Sequence, residues 1–87
     1  MAEIMNEFAK ELHMSVEKHG WWDDLTFPEM WEKIEDERQE VIKAEAVRDI
    51  DGEHGCIREL LQTAVCCVKM ANQLKIRALL FGPDKVI

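Results

Sequence analysis

Four oxygen-bearing side chains stand in two equally spaced pairs on either side of a short loop. Glu37 and Glu40 lie in Asp36-Glu37-Arg38-Gln39-Glu40, and Glu59 and Gln62 lie in Arg58-Glu59-Leu60-Leu61-Gln62. Residues 37 and 62 share the midpoint 49.5 with residues 40 and 59, and it falls in Arg48-Asp49-Ile50-Asp51-Gly52, the most loop-like stretch of the chain. If the flanks fold back as an antiparallel helical hairpin, Glu37 lies level with Gln62 and Glu40 with Glu59. The i, i+3 spacing puts both members of a pair on one helix face. Three carboxylates and an amide at one level repel one another unless a cation neutralises them, and oxygen ligands suit Mg2+, with Mn2+ a second fit. Such a cation bridges a polyphosphate and positions a water for in-line attack. The plainer alternative is an antiparallel helix pair whose acidic edges are answered by Arg38, Lys43, Arg58 and Lys69.

Positioning these residues requires helices, and the apolar spacing supplies three. In the first, about Ala2 to Lys18, Ile4, Met5, Phe8, Leu12 and Val16 recur at intervals of an amphipathic helix. Gly20 ends it, with Lys18 and His19 where cations favour a helix C-terminus. Trp21 to Phe27 reads as an aromatic loop, and Thr26 as the cap of a second helix from Pro28 to about Val47. On a helical wheel Glu37 falls inside the edge of the stripe formed by Met30, Ile34, Val41 and Ala44, with Glu40 beside it, whereas Glu32, Glu35 and Asp36 face solvent. The third helix is expected from about Glu53 to Leu74, with Gln73 to Phe81 either continuing it or forming a short fourth one before Gly82-Pro83. From Cys56 to Ala71, 11 of 16 residues are apolar and spread over more than one face, so part of this helix is expected to meet another subunit.

The 87 residues read as a single domain, 1–87, of an all-α antiparallel helical bundle completed by oligomerisation. A net charge of −7 argues against a nucleic-acid polymer or an anionic membrane as partner, and admits an anionic small molecule only with metal ions. No apolar run approaches a membrane span, and the N-terminal residues lack the pattern of a signal peptide. Cys56, Cys66 and Cys67 are poorly spaced for disulfides and read as reduced thiols of a cytoplasmic protein.

Other candidates fall away on spacing. Asp49-x-Asp51-Gly52 resembles part of a calcium loop, but Val47 and Arg58 would occupy ligating positions, so the segment reads as a turn with Gly52 supplying φ > 0. Glu45 and His54 share the midpoint 49.5 and are expected to pair near that turn. His13 and His19 have no companion ligands for zinc. Adjacent Trp21 and Trp22 cannot both enter one small core. One is expected to anchor the loop and the other to cover an edge, unless the pair forms a stacking wall for a nucleobase.

In this order and spacing, the two acidic runs resemble the MazG-like superfamily of all-α nucleoside triphosphate pyrophosphohydrolases. His19-Gly20-Trp21-Trp22-Asp23 with Phe27 is also similar to a segment found ahead of the first acidic helix in some phage and bacterial members, and the similarity covers roughly residues 5 to 74. The resemblance implies a homodimer or dimer of dimers, with Mg2+ in the acidic cluster. It implies hydrolysis of a nucleoside or deoxynucleoside triphosphate to monophosphate and pyrophosphate. Glu37, Glu40, Glu59 and Gln62 would hold metal, with Glu37 and Glu40 the candidates for orienting the attacking water. Trp21 or Trp22 would lie near the base. Gln62 stands where an Asp is usual, which lowers the site charge by one and admits a catalytically impaired binding or oligomerisation module as the alternative. No Lys/Asn-rich phosphate-binding segment follows the third helix; Lys69, Lys75 and Arg77 are the basic residues at hand.

Overall fold

A computed structural model describes residues 2–86. Helices α1 (Ala2–His19), α2 (Phe27–Ala46) and α3 (Cys56–Phe81) are followed by a single 3-10 turn, Pro83–Lys85. Among the described residues there is no strand. The all-helical expectation holds.

The helix α2 starts where its sequence directs. The Thr26 hydroxyl accepts from the Glu29 backbone N–H at 3.3 Å, and the Glu29 carboxylate accepts from the Thr26 N–H at 2.9 Å, a reciprocal capping box with Pro28 in the first turn. These hydrogen bonds hold the Glu29 carboxyl below its ordinary pKa.

Helix α3 is the axis. It packs against both α1 and α2, whose backbones do not approach each other. Met30 meets Met70 in the core, so α2 runs antiparallel to α3. The Glu11–Arg58 ion pair and the Ser15–Lys69 hydrogen bonds set α1 alongside α3, in the same direction. The result is an up-down-up arrangement with an open groove between α1 and α2, floored by α3. Trp22, Met30 and Met70 form the buried core, with Leu25, Phe27, Ile34 and Cys66 packed around it. At ~1.5 Å per residue, the 26 residues of α3 account for most of the molecule's 43 Å length.

Two boundaries differ from the sequence reading. Helix α3 begins at Cys56 rather than Glu53, because residues 47–55 are engaged in the turn. It then runs unbroken to Phe81, and no fourth α-helix forms. Its last residues, Leu79, Leu80 and Phe81, are exposed, Leu79 at 80%.

The turn between α2 and α3 is built from backbone bonds. The Asp49 N–H donates to the Ala44 carbonyl and the Arg48 N–H to the Glu45 carbonyl, both at 3.0 Å, closing α2 in a Schellman motif. The left-handed residue in that motif is Arg48, at φ 56°, and not Gly52 as expected. Gly52 sits close to its neighbour: a Cβ there would lie 2.6 Å from the Asp49 carboxylate, which accepts from the Gly52 N–H at 2.9 Å and would have to turn aside. Buried Gly55 is equally confined, its would-be Cβ 2.8 Å from the Gly52 nitrogen. The Cys56 and Ile57 N–H groups then donate to the Asp49 and Ile50 carbonyls, so α3 starts without a side-chain cap.

Arg48→Gly should stabilise the fold by about 0.5–1 kcal/mol, since the ~1–2 kcal/mol cost of an L-residue in the left-handed region exceeds the flexibility glycine adds. Gly55→Ala should destabilise by about 1–3 kcal/mol through overpacking. Urea unfolding of both variants checks the pair; a destabilised Arg48→Gly would contradict the strain assigned to that residue.

Candidate functional site

The hairpin brings Glu37 of α2 against Glu59 of α3. Glu59 is 2% exposed, an unusual degree of burial for a carboxylate. Its charge acts on the Glu37 carboxyl, and its Oε1 lies 3.4 Å from Nδ1 of His54, a solvent-facing ring. Oε2 of Glu37 is buried and has no hydrogen-bond partner. Desolvation, then the charges of Glu59, Glu40 and Asp36, push the Glu37 carboxyl above its ordinary pKa.

Gln62 completes part of the expected set. It is half-buried and lines, together with Glu37, a cavity of about 230 Å3 between α1 and α3. Met14, Val65 and Cys66 supply apolar walls and Glu11 another carboxylate. Glu40 is elsewhere engaged: it is exposed and pairs with Lys43 at 3.2 Å, one turn further along α2. Among the described residues, no three His, Cys, Asp or Glu side chains are gathered as a metal-holding group. His54 meets Glu59 and not Glu45, because the ring precedes the first turn of α3 and reaches the carboxylate at its base.

The tryptophans divide as the sequence suggests. Trp22 is a core anchor at 6% exposure, and half-buried Trp21 is held by its backbone carbonyl, which accepts from Gln73 Nε2 at 2.9 Å. Trp22 has φ 68°, a strained value for a bulky residue, maintained by packing against Met30 and Met70. Lys69 lies over its ring, Nζ 5.4 Å from the centroid, and donates to the Ser15 hydroxyl at 2.6 Å. A second cavity of about 380 Å3 is bordered by Trp22, Lys33, Asp36, Glu37 and Lys69. It adjoins the first through Ser15, His19, Glu37 and Cys66, which line both.

Sequence reading missed the clamp that holds the Trp loop. Gln73 Nε2 also donates to the Asp23 carboxylate at 2.9 Å, while Arg77 donates to the Leu25 carbonyl at 2.7 Å and stacks on Phe27. Arg77 is thereby committed to structure and not to a phosphate. The available signal was the spacing of Lys69, Gln73 and Arg77, which places three polar side chains on one face of an apolar helix. Cys66 borders both cavities, but burial and then the Glu37 charge push its thiol up to about 11, so it is a poor nucleophile at neutral pH. No helix among the described residues is long and apolar enough to cross a membrane. No protein-family model, curated protein or solved structure matches the chain.

Raising the Glu37 pKa has a determined sign. The folded state binds this proton more tightly than the unfolded chain does. The stability it contributes is fully present below the ordinary glutamate range and is lost as pH rises through the raised value. Glu37→Gln removes the charge and offers an amide N–H to Glu59. In metal-free buffer it should stabilise the protein at pH 7 by on the order of 1 kcal/mol, the low end for an unsatisfied buried oxygen. The gain should vanish below about pH 4, near the reference value for glutamate. Thermal melts across pH test this; a gain independent of pH would show that charge is not its source.

Proposed function

We propose that this chain is a MazG-like pyrophosphohydrolase that acts with Mg2+ on nucleoside or deoxynucleoside triphosphates. The observation that carries this reading is the buried Glu59 carboxyl facing Glu37, whose Oε2 is desolvated and has no partner. Such a pair is unfavourable when both groups ionise, and a divalent cation removes the penalty. Bound there, the metal supplies charge neutralisation and polarises phosphate and water oxygens. Glu37 and Glu59 would hold it, with the Gln62 amide oxygen as a neutral third donor. Glu40 joins them only by leaving Lys43; otherwise it faces solvent one turn from Glu37 and serves to orient the water and take its proton. The water oxygen attacks the α-phosphorus, the α–β bridging bond breaks, and pyrophosphate departs with the bridging oxygen.

The exposed Leu60, Cys67 and Val68 and the terminal Leu79, Leu80 and Phe81 of α3 support a homodimer or dimer of dimers. The free thiols suit a cytoplasmic setting. A second reading, a MazG-like module that binds or oligomerises without turnover, is favoured by the neutral Gln62 and by the pairing of Glu40 with Lys43.

Incubation with a panel of NTPs and dNTPs plus Mg2+, scored for pyrophosphate and monophosphate, separates the two. The enzyme should turn over at least one nucleotide, and Glu37→Ala should reduce that rate by about 100-fold or more while the protein stays folded. Absence of turnover, combined with absence of Mg2+-dependent thermal stabilisation, would sink the hydrolase reading.

A further inference from the structure

The larger cavity holds a buried charge that the carboxyl pair does not use. Lys69 is 1% exposed. An ammonium has three donors; the Ser15 hydroxyl accepts one bond at 2.6 Å, and the Ser15 carbonyl a longer one at 3.4 Å. The Trp22 ring face meets the same charge, and among the described residues no carboxylate pairs with it. Burial, and the nearby Lys33 charge, favour the neutral amine, while Cys66 opposes them. Lys33 borders the cavity from α2 and also makes no ion pair among the described residues. Neither ammonium has a carboxylate within ion-pair distance among the described residues, and Met at position 69 would fill a similar volume without a desolvated charge.

The remaining charges are of opposite sign. Asp24, Asp36 and Glu37 line the same cavity. A bare phosphate would be repelled by them. A phosphate chain carrying a divalent cation would not, because its oxygens can meet the lysines while its metal offsets the carboxylate charge. We propose that this cavity receives the metal-bound phosphate chain of the ligand, with Lys69 as the buried contact and Lys33 as the exposed one. The assignment rests on the hydrolase reading and deepens it. It also changes the role of Trp22: its ring is buried and its face is taken by Lys69, so it shapes the phosphate end and does not stack the base. The nucleoside then points toward the smaller cavity, where Met14 and Val65 offer apolar contact and Gln62 an amide.

The test uses inorganic tripolyphosphate with Mg2+ as the probe. In a Trp21→Phe/Trp31→Phe background, Trp22 is the sole tryptophan, and its emission should change saturably on titration. Lys69→Met should weaken the apparent affinity at least about tenfold, as expected for loss of a buried charged contact. Lys33→Met, a substitution at an exposed position that keeps the fold, should weaken it less, and Lys75→Met, outside the cavity, should leave it unchanged. Circular dichroism checks folding; if Lys69→Met does not fold, Lys33→Met and the conservative Lys69→Arg decide. No binding by the parent protein, or equal affinity in Lys33→Met and the folded Lys69 variant, overturns the assignment. Lysine-dependent binding without turnover of any nucleotide would defeat the hydrolase reading and leave the cavity assignment standing. Turnover with an unchanged KM in Lys69→Met would defeat the cavity assignment alone.

Discussion

One constraint governs this molecule: the Glu59 carboxyl is buried beside Glu37, and among the described residues no Lys or Arg forms an ion pair with either. Glu59 has the His54 ring within reach, largely in solvent, with Nδ1 3.4 Å from Oε1. A structural carboxylate at that depth is expected to have an arginine or several backbone N–H donors. Several basic side chains are committed elsewhere, Arg58 to Glu11, Arg38 to Glu35, Lys43 to Glu40 and Arg77 to the Trp loop, while Lys33 and Lys69 border a cavity that Glu37 also lines without an ion pair to it. On the proposed reading, a divalent cation would supply the charge that satisfies the pair.

The rest of the fold holds that pair in place. The Schellman closure at Arg48, the room kept by Gly52 and Gly55, and the two bonds from Cys56 and Ile57 fix where α3 starts relative to α2. A slip there would rotate Glu59 out of register with Glu37. At the other end, Gln73 and Arg77 tie the Trp loop to α3, while Lys69 joins α1 to α3 through Ser15. Since α1 and α2 do not pack on each other, the groove between them stays open, and its two cavities flank Glu37. The open groove follows from making α3 the common partner of both helices.

Much of this was legible in the sequence because it rests on periodicity. The apolar stripes gave three helices, the position of Glu37 inside a burying face, and the capping box at Thr26 and Glu29. The shared midpoint brought Glu37 to the second acidic run. Local backbone geometry was less legible. Gly52 looked like the left-handed residue, yet Arg48 takes that conformation because the hydrogen bonds of the closing turn require it there. Side-chain rotamers were illegible for a different reason: Glu40 has a lysine three residues on, and an exposed carboxylate takes the nearby partner before a distant cluster. Lys69 read as one more charge on α3, and its burial depended on where Ser15 and Trp22 would fall, which spacing within α3 does not encode.

Gln62 acquires a physical meaning in this frame. A third carboxylate beside Glu37 and Glu59 would add a like charge to a pair that already includes an unsatisfied buried oxygen, and the metal-free fold would bear that repulsion. On the proposed reading, with an amide there, two carboxylates would balance one divalent cation, and the amide would offer an oxygen without adding a charge. The same amide carries N–H donors, which a carboxylate lacks, toward a cavity with apolar walls. On that reading Gln62 would lower metal affinity, favour the metal-free fold and supply a group able to read a ligand. In the proposed hydrolase the remaining role would fall to Glu40, the acidic member still in solvent, whose exposed pair with Lys43 is exchangeable.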